Sequence, residues 1–390
     1  MLLKLSGRGL RPLGSVSPRP FIGRLSSDPA RPGASEIWLA RDAAALPNGF
    51  RAYLLAAARS QPLPRDSYLL GHEFGYLADG DVIRVEPDRG AIHALYRRGS
   101  HSNSMLVTER CDNYCVMCSQ PPKQRDDSWI VDELMQAIPL MSPDTREIGI
   151  TGGEPALLGS RLVELVRHLR DHLPTTAVHM LSNGRGFAGG GLANELAQLH
   201  HPDLMLGIPL YADVPEHHDY IVQSRGAFDE TIRGILNLKR HGVRVELRFV
   251  VHAGTYEVLP AFARFVARNL LFVDHVAVMG LELMGFARSN LDALWIDPLD
   301  YQRELRDAVD ALDRAGLRVS IYNTPLCVLT PELHRFARAS ISDWKNAFVE
   351  ECDGCVLRSQ CSGLFASSVL RRSRGIARVL RTTSASQDDG

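Results

Sequence analysis

No stretch of this 390-residue chain approaches the roughly 18 apolar residues in a row that would suggest a membrane-spanning helix. An excess of charge is also missing. Against 45 Asp and Glu stand 44 Lys and Arg, leaving a formal net charge of −1, which removes the electrostatic argument for a lipid surface or nucleic acid as partner. Cysteine is scarce, with seven residues, and unevenly placed: three fall between positions 111 and 118 and four between 327 and 361. Two such groups speak for metal sites in a reducing compartment rather than a disulfide scaffold, so a cytoplasmic metalloprotein is expected. Acidic residues are absent from the first 27 positions, which carry Lys4, Arg8, Arg11, Arg19 and Arg24. That bias is found in transit peptides, but Gly and Pro interrupt any amphipathic helix and no apolar signal core is present. An extended segment packed on the domain is expected instead.

What the chain does hold is enough apolar residue, 45%, for one large α/β domain with appendages or for two domains. Residues 36–60 read as a strand and a short helix. Asp79–Val85 and Ala91–Tyr96, with a turn at Pro87-Asp-Arg-Gly90 between them, read as a β-hairpin. A small, mostly β N-terminal domain over 1–100 follows. From Ser104 the pattern changes to strand–loop–helix repeats, with strands expected at 104–108, 146–151, 176–181, 204–210, 243–251 and 274–280. Helices are expected near 130–141, 160–172, 191–200, 228–241, 257–269 and 299–315. In the second of these, Leu162, Val163, Leu165, Val166 and Leu169 recur at helical spacing. Six βα units in series predict a parallel sheet curled as a complete or partial barrel over 101–316. A Cys-rich extension over 317–366 and a basic, disordered tail over 367–390 complete the expected domains.

The densest chemistry lies after the first of those strands, in Cys111-Asp-Asn-Tyr-Cys115-Val-Met-Cys118. Iron–sulfur clusters are held by thiolates. Three thiolates from one loop can serve three irons of a cubane and leave the fourth open, and an open metal position is where chemistry happens. After the second strand comes Thr151-Gly-Gly-Glu-Pro155, where glycines let backbone approach a ligand and a carboxylate can accept hydrogen bonds from an ammonium. Asn183-Gly184 follows the third strand, Pro209-Leu-Tyr211 the fourth, His252 the fifth and Glu282 the sixth. In a βα barrel those positions share one rim, the C-terminal one that carries active sites.

The loop Cys-x3-Cys-x2-Cys together with Gly-Gly-Glu-Pro resembles the radical S-adenosylmethionine (radical SAM) enzymes. More narrowly, Leu106-Val-Thr-Glu-Arg-Cys111, Cys118-Ser-Gln-Pro-Pro-Lys123, Ile341-Ser-Asp-Trp-Lys-Asn346 and Cys361-Ser-Gly363 resemble the radical SAM maturases of the His-Xaa-Ser system, over about residues 82–367. The resemblance implies a partial (βα)6 TIM-like radical SAM barrel, in which Cys111, Cys115 and Cys118 ligate a 4Fe–4S cluster. Gly152, Gly153, Glu154 and Pro155 would hold S-adenosylmethionine, whose reductive cleavage gives a 5′-deoxyadenosyl radical. It further implies a ribosomally made peptide or small protein as substrate, one with His-Xaa-Ser repeats. An electron donor such as flavodoxin or ferredoxin, and a second radical SAM protein as companion, are implied as well. One departure is that the residue before the third cysteine, usually aromatic and near the adenine, is Met117; a thioether can also pack on a ring.

Other candidates keep two readings each. Asn183 either hydrogen-bonds the cofactor or forms an ordinary Asn-Gly turn. Arg248, an arginine within an apolar strand, needs a partner, either a cofactor carboxylate or an ion pair with Glu246 or Glu282. His217-His218-Asp219 has ligand-type residues but reads as a surface loop. Cys327, Cys352, Cys355 and Cys361 form a closed four-thiolate set suited to a second 4Fe–4S cluster or to zinc. Two other functions compete: a radical SAM enzyme acting on a small molecule, and a metal-binding partner subunit without catalysis.

Overall fold

A computed structural model describes residues 5–41, 46–58, 62–339 and 346–380. Two compact units divide the chain, one of 1–110, 124–181 and 194–205, the other of 111–123, 182–193 and 206–390.

The first unit opens with β1 (Ser6–Arg8), β2 (Leu10–Pro12), β3 (Phe21–Ser26), β4 (Gly33–Ala40), β5 (Phe50–Leu55), β6 (Ser67–Leu70), β7 (Val82–Glu86) and β8 (Ala91–Tyr96). Their order is β1-β8-β7-β3-β4-β5-β6-β2. The two outermost members are neighbours in sequence, separated only by Gly9. Ser6–Arg8 pairs with β8, while Leu10–Pro12 pairs with β6. One continuous run of chain therefore stitches both borders together and closes the sheet into a small barrel. Gly9 makes the crossing feasible, because a Cβ there would meet the Phe74 ring at 2.3 Å. Phe74, Tyr68, Leu25, Ile37, Leu54 and Ile83 fill the interior and are almost wholly removed from water. The hairpin of β7 and β8 is as the sequence predicts. The short helix expected before residue 60 is absent among the described residues. Leu54 and Leu55 are instead the end of β5, which is buried on both faces: Leu54 packs in the barrel interior and Leu55 in a second cluster with Ala40, Phe50 and Tyr53.

The same unit holds β9 (Asn103–Leu106), α1 (Trp129–Ala137), β10 (Glu147–Thr151), α2 (Ser160–His172) and β11 (Ala177–Leu181). β10 lies between β9 and β11, parallel to both. Helix α2 buries Leu162, Val163, Leu165, Val166 and Leu169, the stripe legible in the sequence. The unit does not break at residue 100. Arg84 of β7 pairs with Glu133 at 2.8 Å and lies over the Trp129 ring, and the Tyr96 hydroxyl meets Thr145 at 2.8 Å.

Further α/β repeats follow through α3 (Gly191–Ala197), β12 (Leu204–Pro209), α4 (Pro215–Val222), α5 (Ala227–Arg240), β13 (Arg244–Val251), α6 (Leu259–Asn269) and β14 (His275–Gly280). After the short α7 (Gly285–Ser289) and α8 (Leu291–Leu294) comes α9 (Gln302–Arg314), which leads into β15 (Val319–Tyr322). β13, β14 and β15 are parallel and adjacent in that order. β15 is a seventh strand of the parallel series, beyond the six expected. It is only four residues long, which hides it in the sequence, and its outer side is bridged by Ala337. The fold is thus α/β with a parallel-strand sheet and a small N-terminal β region. No helix among the described residues is long and apolar enough to cross a membrane.

Candidate metal and cofactor site

In the second unit, Cys111, Cys115 and Cys118 sit half-buried on one loop, held from several sides. The N–H groups of Tyr114 and Val116 donate to the carbonyls of Val222 and Ile221 at the end of α4, each at 3.0 Å. On another side the α7–α8 turn grips the loop: Phe286 N–H donates to the Cys118 carbonyl at 2.8 Å, and Asn290 Nδ2 donates to the Val116 carbonyl at 2.8 Å. Gly285 has φ near +54°, and a Cβ there would lie 2.5 Å from the Cys118 carbonyl, so the close approach requires glycine. The three sulfurs are neighbours. Burial first, then the nearby Cys118 and Cys111, pushes the Cys115 thiol well up from its ordinary range. Burial raises the Cys118 thiol as well; thiols of this kind give up their protons when they ligate a metal.

The hub of this arrangement is Arg185, which sequence reasoning did not single out. Its guanidinium is 15% exposed. Nη1 lies 2.6 Å from Asn113 Oδ1, 2.9 Å from the Asp112 carbonyl and 2.9 Å from Ser224 Oγ, and Nε donates to Glu230 at 2.7 Å. Asn183 belongs to the same network. Its Nδ2 donates to Asp112 Oδ1 at 2.6 Å, while its Oδ1 accepts from Arg185 N–H at 3.0 Å. Both readings of Asn183 thus meet a third: its amide ties the third strand's exit to the cysteine loop. The only sequence signal for Arg185 was a cation placed directly after that exit.

Beneath the loop, Met117 is buried with Tyr211, Ile221, Val222, Ala287 and Leu294, with Cys115 and Val250 partly buried against them. Tyr211, at the exit of β12, is the rim residue expected after the fourth strand, to which the sequence assigned no role. Burial pushes its phenol far up, and the neighbouring Cys115 adds to this. Its ring stacks on His218 at 5.9 Å, and its N–H donates to His218 Nδ1 at 3.2 Å. That bond needs a neutral imidazole, and burial lowers the His218 pKa to about 4. The triplet His217-His218-Asp219 is therefore not a surface loop. Pro215 opens a helix there, His217 Nε2 meets the Gly254 carbonyl at 2.7 Å, and Asp219 accepts from the N–H of Phe228 at 2.8 Å.

Arg248 projects from β13 on the same side as Glu246. Nη1 is 3.7 Å from Glu246 Oε1, and Nη2 donates to Met279 Sδ at 3.1 Å. Nη1 is buried and makes no hydrogen bond among the described residues. Glu246 also receives His275 Nδ1 at 2.7 Å, and His275 Nε2 meets Ser320 Oγ at 2.9 Å. The ion pair with Glu246 is thus present, and spare donor capacity remains beside it.

In the first unit, Gly152-Gly-Glu-Pro155 leaves β10 against the exit of β9. Gly153 N–H donates to the Thr108 carbonyl at 2.8 Å, and Glu154 N–H to the Arg110 carbonyl at 2.7 Å. A Cβ on Gly152 would lie 2.3 Å from the Thr108 carbonyl, and one on Gly153 would lie 2.0 Å from that of Arg110. The physical reason for these glycines differs from the one expected: the missing side chains make room for neighbouring backbone. Glu154 is 1% exposed, and its Oε1 accepts from Ala156 N–H at 2.8 Å, so it also caps the turn that Pro155 opens.

Cys327, Cys352, Cys355 and Cys361, drawn from four turns of the second unit, line one pocket of about 350 Å³ including its mouth, walled by Leu326, Phe348 and Ile376. Cys361 Sγ accepts from Leu326 N–H at 3.3 Å and Gly363 N–H at 3.4 Å. Among the described residues, no set of three or more Cys, His, Asp or Glu is drawn tightly enough to hold a metal ion. Of the motif Ile341–Asn346, positions 341–345 lie outside the described residues, as do 381–390 of the tail. Residues 371–374 correct the expectation of a disordered tail. Arg371 pairs with Asp292 and Arg372 with Glu351, each at 2.8 Å, and Arg374 pairs with Asp297 at 3.2 Å and with Asp300. The surplus positive charge finds carboxylates distant in sequence.

Residues 105–266 match the Radical SAM superfamily. No curated protein matches the chain. Among solved structures, Streptococcus suis SuiB is similar at 15% identity and a TM-score of 0.43, over 56% of this chain and 48% of that one. The chain thus spans about half of SuiB in that structure. SuiB bound to S-adenosylmethionine gives 13% identity and a TM-score of 0.48, over 72% of this chain and 76% of the other. Native anSMEcpe with bound AdoMet gives 17% and 0.44, over 56% and 62%. At these identities and scores the likeness bears on neither substrate nor partner.

Proposed function

We propose, from the radical SAM domain that this chain carries, that the protein is an enzyme that cleaves S-adenosylmethionine reductively and modifies a ribosomally made peptide or small protein. The observation that carries the reading is the cysteine loop, on which three half-buried cysteines are fixed by backbone hydrogen bonds to α4 and to the α7–α8 segment and by Arg185. In this reading Cys111, Cys115 and Cys118 ligate a 4Fe–4S cluster. When bound, that cluster supplies the electron that splits the cofactor into methionine and a 5′-deoxyadenosyl radical. Gly152, Gly153 and Glu154, with Pro155 fixing their turn, hold the cofactor's ammonium. Nη1 of Arg248, ion-paired with Glu246 at 3.7 Å but without a hydrogen bond among the described residues, suits its carboxylate. Met117 offers backbone to the adenine while its thioether stays in the core, and Asn183 fixes the loop. The electron comes from a small donor such as flavodoxin or ferredoxin.

A His-Xaa-Ser repeat substrate, and a second radical SAM protein as companion, rest on the sequence motifs flanking Cys111, Cys118 and Cys361. At the four C-terminal cysteines a second 4Fe–4S cluster is proposed over zinc, following the sequence resemblance, while the four thiolates themselves suit either. The test is Cys115→Ala in reduced, reconstituted protein. The variant is expected to keep its fold by circular dichroism and to release no 5′-deoxyadenosine. A wild type that also releases none would favour the non-catalytic subunit. Iron counts of about eight in wild type and about four in Cys111/Cys115/Cys118→Ala are expected; one zinc with about four irons would make the C-terminal site structural.

A further inference from the structure

Beyond Ser373 the chain turns back across the second cysteine group. Ile376 and Ala377 line its pocket, and the Ala377 N–H faces Cys327, where it works against the burial that raises that thiol. Farther on, the Val379 carbonyl accepts from Val356 N–H at 3.1 Å, directly after Cys355. The segment thus touches the pocket's rim on two sides, beside Cys327 and beside Cys355. What holds its near end is Asp297, a carboxylate 2% exposed in the turn before α9. It accepts from Ser373 Oγ at 2.5 Å, Arg374 N–H at 2.9 Å and Leu299 N–H at 3.1 Å. Gly375 then passes so close to Leu299 that a Cβ would lie 2.8 Å from its side chain.

We infer that residues 373–380 form a strap that is the outer wall of the four-cysteine site, and that Asp297 is the positioning residue that latches it there. The strap places two apolar side chains, Ile376 and Ala377, between the pocket and water, and brings the Ala377 N–H toward Cys327 beside that cysteine's own N–H. Hydrogen bonds to the sulfurs and exclusion of solvent are the levers by which a protein sets the behaviour of a thiolate-held group. The inference rests on reading the four cysteines as a metal site, and its test separates the two.

In full-length protein carrying Cys111/Cys115/Cys118→Ala, only the second site can load with iron. Asp297→Ala and, more mildly, Ser373→Ala are expected to speed iron release to a ferrous chelator at least tenfold and threefold respectively. Arg371→Ala, which removes an ion pair away from the pocket, should leave the rate within twofold. In metal-free full-length protein, Asp297→Ala should speed iodoacetamide alkylation of Cys327 at least fivefold. Unchanged release and unchanged Cys327 alkylation in Asp297→Ala would overturn the strap. Absence of any metal in the parent protein would overturn the metal reading, while the alkylation comparison would still decide the strap. If Asp297→Ala fails to fold, Ser373→Ala, which deletes one hydroxyl, decides by the same two measurements.

Discussion

Replacing Arg185 with alanine removes the clamp of the cysteine loop without touching a thiol. Asn113, only 3% exposed, loses the donor to its Oδ1, and a buried acceptor left without a partner costs about 1–3 kcal/mol. Glu230 is 39% exposed, so losing that pair adds about 1 kcal/mol or less. The ordered loop is therefore disfavoured by roughly 1–4 kcal/mol, which at about 1.4 kcal/mol per decade is a shift of roughly 5- to 700-fold. The assay is iron release to a chelator from protein with Cys327, Cys352, Cys355 and Cys361 replaced by alanine, so that only the first site is loaded. If loop opening precedes release, Arg185→Ala should lose iron at least about fivefold faster than its parent. Arg185→Lys should fall between, because an ammonium keeps the charge but not the planar fork. Release within threefold of the parent would refute the clamp.

Gly153→Ala places a Cβ 2.0 Å from the Arg110 carbonyl, so backbone must shift; a loss of about 1–3 kcal/mol in urea unfolding is expected, with weakened S-adenosylmethionine binding in equilibrium dialysis. Stability should also fall on mild acidification. Burial lowers the pKa of His218 and of His252 to about 4, against about 6.5 in the unfolded chain. The unfolded state thus binds protons first, so stability is full above about pH 6.5 and drains away as pH falls towards 4. Each histidine contributes on the order of 3 kcal/mol to that slope. His218→Gln should remove roughly half of it in urea midpoints taken from pH 7 to 4.5, and an unchanged slope would refute the assignment.

The parallel repeats were legible because each expected strand is an apolar run bounded by turn residues, and each expected helix carries a stripe at helical spacing. β15 was not, since four residues after Gly316 give no periodicity to count. The cysteines and Gly-Gly-Glu-Pro were legible because they are contiguous. Arg185 was not, because its partners Asp112, Asn113, Ser224 and Glu230 lie 39 to 73 positions away. The same holds for the strap, whose Ser373 and Arg374 meet Asp297 across 76 and 77 positions. Local pattern reports which residues share an element; it carries no trace of which carboxylate a distant arginine will find.

The stitching of the N-terminal barrel through Gly9 has a bearing on recognition. An open sheet offers its border as a template on which an extended peptide, or another copy of the same chain, can add a strand. Here β8 and β6, which would otherwise end the sheet, are both already paired by the run Ser6–Pro12. Strand addition to this sheet is therefore closed off as a way of capturing a leader peptide or of building filaments, and a guest that docks on the barrel must be read through side chains on its outer surface.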